Sequence, residues 1–532
     1  MSKISYRAKR ATCKVLGTVW IQLTNAYCKV INAKPEEKEW LQSFLQFDDG
    51  KAQYRKGAKQ QISLYNSFAD TFPSGLLSMV VREIRERAVT EPNSVAARIK
   101  PEIMDARKRP GDPLGDDEWD HSFLRDYQFE AVKLVHKRTR GILWHPTAAG
   151  KTQTAVGTVI SLPSAKWLFL VNQADLVHQA KARYEKITGA KAGIIGDGEL
   201  DFSDTFTAAT FQTLFSRISK PGSKGYAEIL AFLDSITGLI VDEAHTVAAG
   251  TFWRVISLLK NAYWRVGLSG TPLARTDKRS VLVLAAIGDI IQRILPQTLI
   301  DAGYLSLPSI KMIRLKQVVS EGANITYAQF RRKYIVDSRA RNATIVEAVD
   351  KVEKPALVFV REIKHGRILR KVLQQRGFNV EFVFGKDEVS RRQFLIKQLE
   401  QQKLDVIVCS NVFTTGVDIP SLAGGVNASG GKSPIETLQR LGRGLRVVDG
   451  KSTFDWYDIY DTGFKYLDEH TEERVDTYRA EGYEVLESNS TTGQHMANEA
   501  ALQAKMDKAL NKKGTKKLTE VDMSFDIGSL SV

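Results

Sequence analysis

The sequence predicts an α/β protein with two parallel-sheet domains in tandem, preceded by a small α+β region. From about residue 122 to residue 485, short apolar runs alternate with helical patterns, which is typical of parallel sheets with helices on their faces. The 532 residues allow several domains, and a hydrophobic content of 43% is enough for large cores. The expected segments are 1–115 (α+β), 116–298 (first parallel domain), 299–487 (second parallel domain) and 488–532 (basic, flexible tail).

The first segment contains the signals of two strands followed by two helices. Val15 to Leu23 and Tyr27 to Ile31 are apolar, strand-like runs, Pro35 begins an amphipathic helix, and a second helix follows Ser74. The segment carries 20 Lys+Arg against 12 Asp+Glu, which favours a DNA-contacting accessory domain over a passive cap. Residues 101–121 are rich in Pro, Gly and charge, and they are predicted to be a linker.

Nine apolar runs are expected to form strands of the two parallel sheets. The first sheet takes Ile142–Trp144, Trp167–Val171, Phe206–Ala209, Leu239–Val241 and Val266–Leu268. The second takes Ala356–Val360, Val380–Phe384, Val406–Cys409 and Phe454–Ile459. The Ser/Thr/Asn-rich and then lysine-rich end is expected to be mobile, with one helical piece near 497–510.

Charge and cysteine content narrow the functional classes. The net charge of +15 raises the expectation of a polyanionic partner, nucleic acid before membrane, although a merely soluble basic surface is the alternative. Cys13, Cys28 and Cys409 are too few and too scattered for a disulfide framework or a zinc cluster. The cysteine content fits a reducing compartment, so a cytoplasmic location is expected. No apolar run reaches the roughly 18 residues that span a bilayer, so no membrane partner is expected.

A phosphate-binding loop is predicted at Gly141 to Thr152, GILWHPTAAGKT. A short apolar strand runs into a small-residue loop, and a helix then begins, so backbone N–H groups at the helix N-terminus can point at an anion. The lysine adds a mobile positive charge, and the threonine hydroxyl can ligate Mg²⁺. His145 stands where the usual pattern has its first glycine, and a chance GKT is the alternative. The predicted phosphate-binding residues are Thr147, Ala148, Ala149, Gly150, Lys151 and Thr152.

Two adjacent carboxylates follow a second apolar run, in the stretch Ile240 to His245. Neighbouring residues on an extended chain point to opposite sides, so the two acids can do different jobs. Asp242 is predicted to hold Mg²⁺ and Glu243 to orient and deprotonate the attacking water. The alternative for such a string in isolation is a solvated strand end.

A third candidate is the arginine-rich stretch from Gln439 to Arg446. Arg440, Arg443 and Arg446 recur at every third position, so a helix would place them along one face. Guanidinium groups suit the charge that develops on a transferring γ-phosphoryl group. A plain basic helix face on a basic protein is the alternative.

With these three motifs, residues 122 to 485 resemble the superfamily 2 helicases and translocases. The resemblance implies two RecA-like motor domains in tandem, ATP and Mg²⁺ as cofactors, and catalytic roles for Gln439, Arg443 and Arg446. Shorter motifs follow in the family's order. In Leu124–Gln128, Arg125 and Gln128 would contact the nucleotide, and Gln128 would read the adenine edge. Leu170–Gln173 and Thr210–Thr213 would contact the nucleic-acid backbone, and Leu268–Pro272 would couple hydrolysis to movement. In Thr415–Pro420, Gly416 and Asp418 would contact ATP.

Further resemblances suggest a branch of the superfamily. Residues 47–50 and 71–77 are similar to the start of the UvsW-type recombination helicases of T-even phages, while residues 247–249 and 276–278 resemble the nucleotide-excision-repair translocases. This implies remodelling of branched DNA (branch migration, fork regression, D-loop or R-loop unwinding), with recombination or replication proteins as partners, in a bacterial or phage-infected cytoplasm. The alternatives are an RNA helicase, a defence-system motor with other subunits, or a binding module with a degenerate ATPase. Residues 424–432 are a flexible candidate for the strand-separating element.

Overall fold

The computed structural model describes residues 19–49, 61–222, 225–248, 250–273, 279–317, 325–410, 419–448 and 451–501. The chain divides into two compact units, Met1–Pro146 with Gly150–Ile294, and Thr147–Ala149 with Leu295–Val532. Within the described ranges, no helix combines the length and apolarity needed to cross a bilayer.

In residues 19–49 and 61–105, the N-terminal region of the first unit contains a four-stranded sheet and three α-helices. The strands are β1 (Val19–Leu23), β2 (Tyr27–Ile31), β3 (Gln46–Asp48), β4 (Gln61–Ser63), β5 (Thr71–Pro73) and β6 (Pro101–Asp105), and the helices are α1 (Pro35–Phe44), α2 (Leu77–Thr90) and α3 (Val95–Arg98). The sheet order is β5-β2-β1-β6, with β3 and β4 paired separately. The predicted strand–strand–helix order is confirmed, while residues 15–18 lie outside the described residues.

The prediction of a linker over residues 101–121 is wrong at its start. Pro101–Asp105 forms β6, which pairs in parallel with β1. This strand lies at the sheet edge, where a first-position proline and exposed polar residues are tolerated, so it lacks the apolar pattern of a buried strand. The chain then continues along the first parallel domain, where Arg107 Nη1 donates to Thr139 Oγ1 (2.6 Å) and Leu114 N donates to Ser161 O (2.9 Å).

The N-terminal region and the first parallel domain share one hydrophobic core. Leu76, Val80 and Ile84 belong to the same buried cluster as Val241 and Ala285 of the parallel domain. The accessory domain expected for residues 1–115 is therefore not separate, because its described residues share a buried cluster with the first parallel domain.

Buried polar contacts reinforce this junction. The Arg140 guanidinium donates to Ser74 Oγ (2.5 Å) and to Asn25 O (2.7 Å). Arg279 forms a bidentate ion pair with Asp49, at 2.8 and 2.5 Å. The polar groups that the junction buries are therefore paired across it.

The first parallel domain is an eight-stranded sheet with helices on both faces, in the order β10-β9-β11-β8-β12-β13-β7-β14. Its strands are β7 (Arg140–Trp144), β8 (Trp167–Val171), β9 (Gly193–Gly196), β10 (Glu199–Asp201), β11 (Phe206–Thr210), β12 (Gly238–Asp242), β13 (Trp264–Ser269) and β14 (Ile290–Arg293). Its helices are α4 (Asp126–Arg138), α5 (Lys151–Ile160), α6 (Ala174–Thr188), α7 (Phe211–Ile218), α8 (Tyr226–Ser235), α9 (Gly250–Leu258) and α10 (Ser280–Ala286). All five strands predicted for this sheet are present, and all pairings except β9 with β10 are parallel.

The second unit contains a seven-stranded parallel sheet in the order β17-β18-β16-β19-β20-β15-β21. Its strands are β15 (Leu307–Lys316), β16 (Ala356–Phe359), β17 (Val380–Val383), β18 (Val406–Cys409), β19 (Gly424–Asn427), β20 (Thr453–Thr462) and β21 (Val485–Asn489). Its helices are α11 (Pro296–Asp301), α12 (Tyr327–Arg331), α13 (Arg339–Lys351), α14 (Ile363–Gln375), α15 (Val389–Glu400), α16 (Pro434–Leu441) and α17 (Lys465–Ala480). The two parallel sheets confirm the α/β, RecA-like fold class.

Two expectations for the second unit are wrong. Residues 424–427 are the buried central strand β19 rather than part of a flexible element; a side chain at Gly424 would collide with the Glu353 carbonyl oxygen, which explains the glycine. The segment from 488 is not a tail throughout, because β21 extends to Asn489 and a helical stretch covers residues 492–501. Ala497 of that stretch is buried in the core of the unit. The rest of the predicted tail lies outside the described residues.

Candidate functional site

The predicted phosphate loop connects β7 to α5 in the structure. The loop adopts left-handed backbone conformations at Ala148 (φ 68°) and Gly150 (φ 71°), and Lys151 and Thr152 then form the first turn of the helix. The φ of Gly150 favours glycine, and a Cβ there would also lie 2.5 Å from Gln128 Nε2. Lys151 Nζ donates to Pro146 O at 3.4 Å, which places the ammonium group over the loop.

Residues of the Leu124–Gln128 motif, called the adenine motif below, lie directly against this loop. Arg125 is the N-cap of α4, and its N–H donates to Gln128 Oε1 at 3.0 Å. Gln128 is fully buried, and its Nε2 donates to Gly150 O at 3.3 Å. Gln128 therefore ties the start of α4 to the phosphate loop, and its predicted contact with adenine stays a prediction.

His145 has a role that the sequence did not indicate. Its Nε2 donates to Gln292 Oε1 (2.7 Å), and Gln292 Nε2 donates to Tyr127 O (3.2 Å). Burial lowers the pKa of His145 to about 4, with Lys151 acting in the same direction and the bond to Gln292 opposing it. A neutral imidazole thus links the loop, β14 and the adenine-motif helix. The only available signal was a histidine in place of the usual first glycine.

The two carboxylates leave the sheet beside the phosphate loop. In the register of the sheet, Asp242 of β12 lies opposite Leu268 of β13, which lies opposite Leu143 of β7. The loop and the carboxylates therefore emerge at the same edge, two strands apart, or about 10 Å. Asp242 accepts a hydrogen bond from Glu243 N at 3.0 Å.

Glu243 has an unusual backbone conformation and an ordered carboxylate. Its φ of 50° is in the left-handed region, which is strained for a non-glycine residue and recurs at functional sites. Its Oε2 lies 3.3 Å from His245 Nδ1, which is also 3.3 Å from Ser269 Oγ. Ser269 Oγ accepts a hydrogen bond from Thr271 N at 3.1 Å. This series of hydrogen bonds connects the carboxylate motif to the Leu268–Pro272 motif, a connection that the two separate motifs did not reveal.

Among the nucleic-acid motifs of the first unit, Asn172 and Gln212 are joined, since Gln212 Nε2 donates to Asn172 O at 2.7 Å. Thr210 caps α7 by accepting from Thr213 N. Their predicted contact with nucleic-acid backbone stays a prediction. Gly416 and Asp418 lie outside the described residues.

The arginine array of the second unit differs from the prediction. Helix α16 ends at Leu441, so it carries Gln439 and Arg440 but not Arg443 or Arg446, and the three arginines do not form one helical face. Arg440 is buried and pairs with Glu436 at 2.7 Å, and burial lowers its pKa. Arg446 forms a β-bridge with Leu305. The glycine-rich sequence after Leu441 ends the helix earlier than its three-residue spacing suggested.

The site suits ATP with Mg²⁺ through its donor set. The helix N-terminus and the left-handed loop residues present backbone N–H groups that can donate to phosphate oxygens, and Lys151 adds positive charge. Thr152 and Asp242 offer the oxygen ligands that Mg²⁺ prefers. Among the described residues, no group of three or more His, Cys, Asp or Glu side chains is placed to hold a metal ion by itself.

Comparisons with known proteins agree with this geometry. Residues 122–274 match the family described as "Type III restriction enzyme, res subunit", and residues 340–448 match "Helicase conserved C-terminal domain". The DNA 3'-5' translocase XPB2 of Sulfurisphaera tokodaii is 28% identical over 61% of this chain and 79% of that protein. The ATP-dependent DNA helicase uvsW of Enterobacteria phage T4 is 26% identical over 69% of this chain and 76% of that protein.

A solved structure shares the fold. The ATP-dependent Type ISP restriction-modification enzyme LlaBIII bound to DNA aligns with a TM-score of 0.53 and 15% identity, over 74% of this chain and 33% of that one. The matched helicase segments coincide with the two parallel-sheet domains and with the motifs at the edge of the first sheet. The chain is therefore an ATP-dependent superfamily 2 helicase.

Proposed function

We propose that this helicase is a DNA motor that remodels branched DNA, by branch migration, fork regression or unwinding of D-loops and R-loops. The observation that carries the motor part of the proposal is the common sheet edge at which Lys151, Asp242 and Glu243 emerge, joined to Ser269 through His245. The branched-DNA part is proposed from the similarity of residues 47–50 and 71–77 to the UvsW-type recombination helicases. An intact hydrolytic site of this kind argues against a binding module with a degenerate ATPase.

In the proposed cycle, Mg²⁺-bound ATP supplies the phosphoanhydride bond whose cleavage drives movement. Lys151 and the loop N–H groups bind and orient the phosphates, and Thr152 and Asp242 would hold the metal ion. Glu243 takes the proton of the attacking water. The hydrogen-bond chain through His245 and Ser269 keeps the Glu243 carboxylate oriented, and it gives the Leu268–Pro272 motif a route by which to respond to hydrolysis.

The second unit is proposed to contribute Arg443 and Arg446 to the charge that develops during hydrolysis, with Gln439 on the preceding helix. Arg440 is not included, because its buried guanidinium is paired with Glu436. Gly416 and Asp418 remain proposed nucleotide contacts.

DNA is preferred over RNA for two reasons. The names of the relatives from S. tokodaii and phage T4 refer to DNA. The net charge of +15 suits a polyanion, and 20 Lys+Arg against 12 Asp+Glu in residues 1–115 place much of the excess in the N-terminal region. Phosphate contacts are blind to sequence, so binding is expected to be structure-selective and salt-sensitive. Recombination or replication proteins are proposed partners.

The test is steady-state ATP hydrolysis with matched ligands: single-stranded DNA, duplex, a four-way junction, and RNA of the same sequence. The strongest stimulation by the junction supports the proposal, whereas the strongest stimulation by RNA supports the RNA-helicase alternative. Lys151→Ala is the matched control, because it should abolish hydrolysis while DNA binding persists. Hydrolysis that survives this change would refute the site assignment.

A further inference from the structure

A basic groove, called the α14 groove below, lies beside strand β17 in the second unit. It is open to solvent, has a volume of about 460 Å³, and is bounded by α14, by β17 with the turn that follows it, and by the start of α15. Of the eight described residues that line it, four are Lys or Arg and one is acidic; the cations are Arg367, Arg370, Lys371 and Arg391. The lining residues belong to none of the motifs named above.

The positive charge of this part of the chain is local. Residues 361–400 lie within the described range and hold 10 Lys+Arg against 5 Asp+Glu, whereas the whole chain holds 76 against 61. Helix α14 itself carries four Lys or Arg residues and no Asp or Glu. The groove is therefore more cationic than the surface of this basic protein as a whole.

Two of the four cations in the groove are paired with carboxylates, and two are not. Arg370 and Arg391 each form an ion pair, at 3.0 and 2.8 Å. Arg367 and Lys371 are exposed and form no ion pair with any residue in the part of the chain that the structure describes. They are one helical turn, or about 6 Å, apart on α14, so uncompensated positive charge is concentrated on one face of the helix.

Protection of the sheet edge explains Arg391 but not this pair. Strand β17 ends the sheet, and Arg391 Nη1 donates to Phe382 O at 3.4 Å, so this arginine covers a carbonyl group of the edge strand. Arg367 and Lys371 are on the helix instead, and like charges four residues apart destabilise a helix. Folding therefore does not account for the two unpaired cations.

We propose that the α14 groove binds the phosphate backbone of a single DNA strand. This inference rests on the proposed function and adds a contact for the strand outside the helicase motifs. The volume is that of a site for one small ligand, so the groove accommodates about one nucleotide and not a duplex. Phe384, half-buried in the wall of the groove and stacked on Phe382 at 5.5 Å, offers an aromatic contact to a base.

Charge also favours a nucleic-acid strand over a protein partner. The centre of a protein–protein interface is depleted of charged residues, and lysine is under-represented in such interfaces. The α14 groove has the opposite composition, because cations line its centre and its aromatic side chains lie in the wall. A cationic groove with an aromatic contact is the combination by which proteins hold single strands without reading their sequence.

The test is equilibrium binding of the full-length protein to fluorescent single-stranded DNA, without ATP, between about 50 and 200 mM salt. Arg367→Ala/Lys371→Ala should weaken binding about 5-fold or more and make the slope of log K against log salt shallower by about 1.4, since each phosphate contact on a single strand contributes about 0.7. Lys397→Ala/Lys403→Ala is the matched control. It removes two exposed lysines of the same unit that do not line the groove, and the slope should stay unchanged.

A photo-crosslinker provides a second measurement that does not depend on charge. p-Benzoylphenylalanine in place of Gln374, which lines the groove, should crosslink to the single strand, and the same group in place of Lys403 should not. Equal crosslinking at both positions, or none at Gln374, would overturn the proposal. An equal change of slope in both double variants, or an equal change for duplex DNA, would also overturn it.

These measurements use no ATP, so their outcome is separate from that of the proposed function. Junction-stimulated hydrolysis with an unchanged salt slope in Arg367→Ala/Lys371→Ala would overturn the α14 groove and leave the DNA motor intact. Hydrolysis that RNA stimulates best would refute the proposed function, whereas the salt slope alone decides the groove. Because both positions are exposed on a helix and alanine favours helix, the melting temperature should not fall, which excludes loss of folding as the cause.

Discussion

Gly75 packs against the backbone of α10 where the N-terminal region meets the first parallel domain, and this position is predicted not to tolerate an added methyl group. A Cβ at Gly75 would lie 2.6 Å from Ala285 O and closer still to Leu284 O. Both neighbours are main-chain atoms of α10, so neither can rotate away, and the segments must separate by roughly 1 Å. Overpacking costs about 1–3 kcal/mol, and we expect the upper end here. This corresponds to a fall in the melting temperature of about 6–12 °C.

Thermal unfolding of Gly75→Ala, followed by circular dichroism, is the assay. Gly250→Ala is the matched control, because a Cβ on Gly250 meets nothing within 4 Å and the residue begins α9. That variant should melt within about 2 °C of wild type. Because Leu76 and Ala285 share one core, the transition of the whole first unit should shift. A Gly75→Ala protein that melts like the control would refute the shared-core reasoning.

Three further predictions concern the site. Glu243→Gln should lower ATP turnover by about 10²–10⁴-fold, measured by phosphate release, with binding of a fluorescent ATP analogue retained; a smaller loss would contradict its role as the base. Arg443→Ala should cost about 10³-fold in turnover without lowering the melting temperature, whereas Arg440→Ala, which removes a buried ion pair with Glu436, should lower the melting temperature. The free energy of unfolding should fall as the pH drops from 6.5 towards 4, because His145 is protonated in the unfolded chain but stays neutral in the fold. The shift of its pKa to about 4 is worth about 3 kcal/mol. His145→Gln should therefore flatten the pH dependence of the melting temperature.

Most of the strands that the sequence predicted in the two parallel sheets are buried inside the sheets, and β17 is the one at a sheet edge. Trp167–Val171 and Val406–Cys409 have the predicted bounds, because a parallel strand covered on both faces must be a continuous apolar run. The missed strands lack that run for physical reasons. Edge strand Pro101–Asp105 has exposed residues, and Gly424–Asn427 needs glycines because Trp456 and the Glu353 carbonyl occupy the space of a side chain. In Gly424–Asn427, close packing thus replaces the apolar side chains, whose continuous run is the sequence signal of a buried strand, with glycines.

The candidate site divides in the same way. Lys151 and Glu243 could be proposed from the sequence, because phosphate and proton chemistry demand those groups in fixed local patterns. The link from His145 to Gln292 joins residues 147 positions apart, so no local spacing encodes it. The prediction that Arg440, Arg443 and Arg446 share one helical face is wrong because three-residue spacing places residues on one face only within a continuous helix. Helix α16 ends at Leu441.

The junction also determines how the N-terminal region can influence the motor. Arg140 begins β7, and its guanidinium donates to Asn25 O and Ser74 Oγ of the N-terminal region; β7 then reaches the phosphate loop after five residues, or about 17 Å. Burial lowers the pKa of Arg140 to about 10, so the buried group stays charged at neutral pH and depends on these partners. Removing the N-terminal region would therefore leave a charge and half of a core without partners.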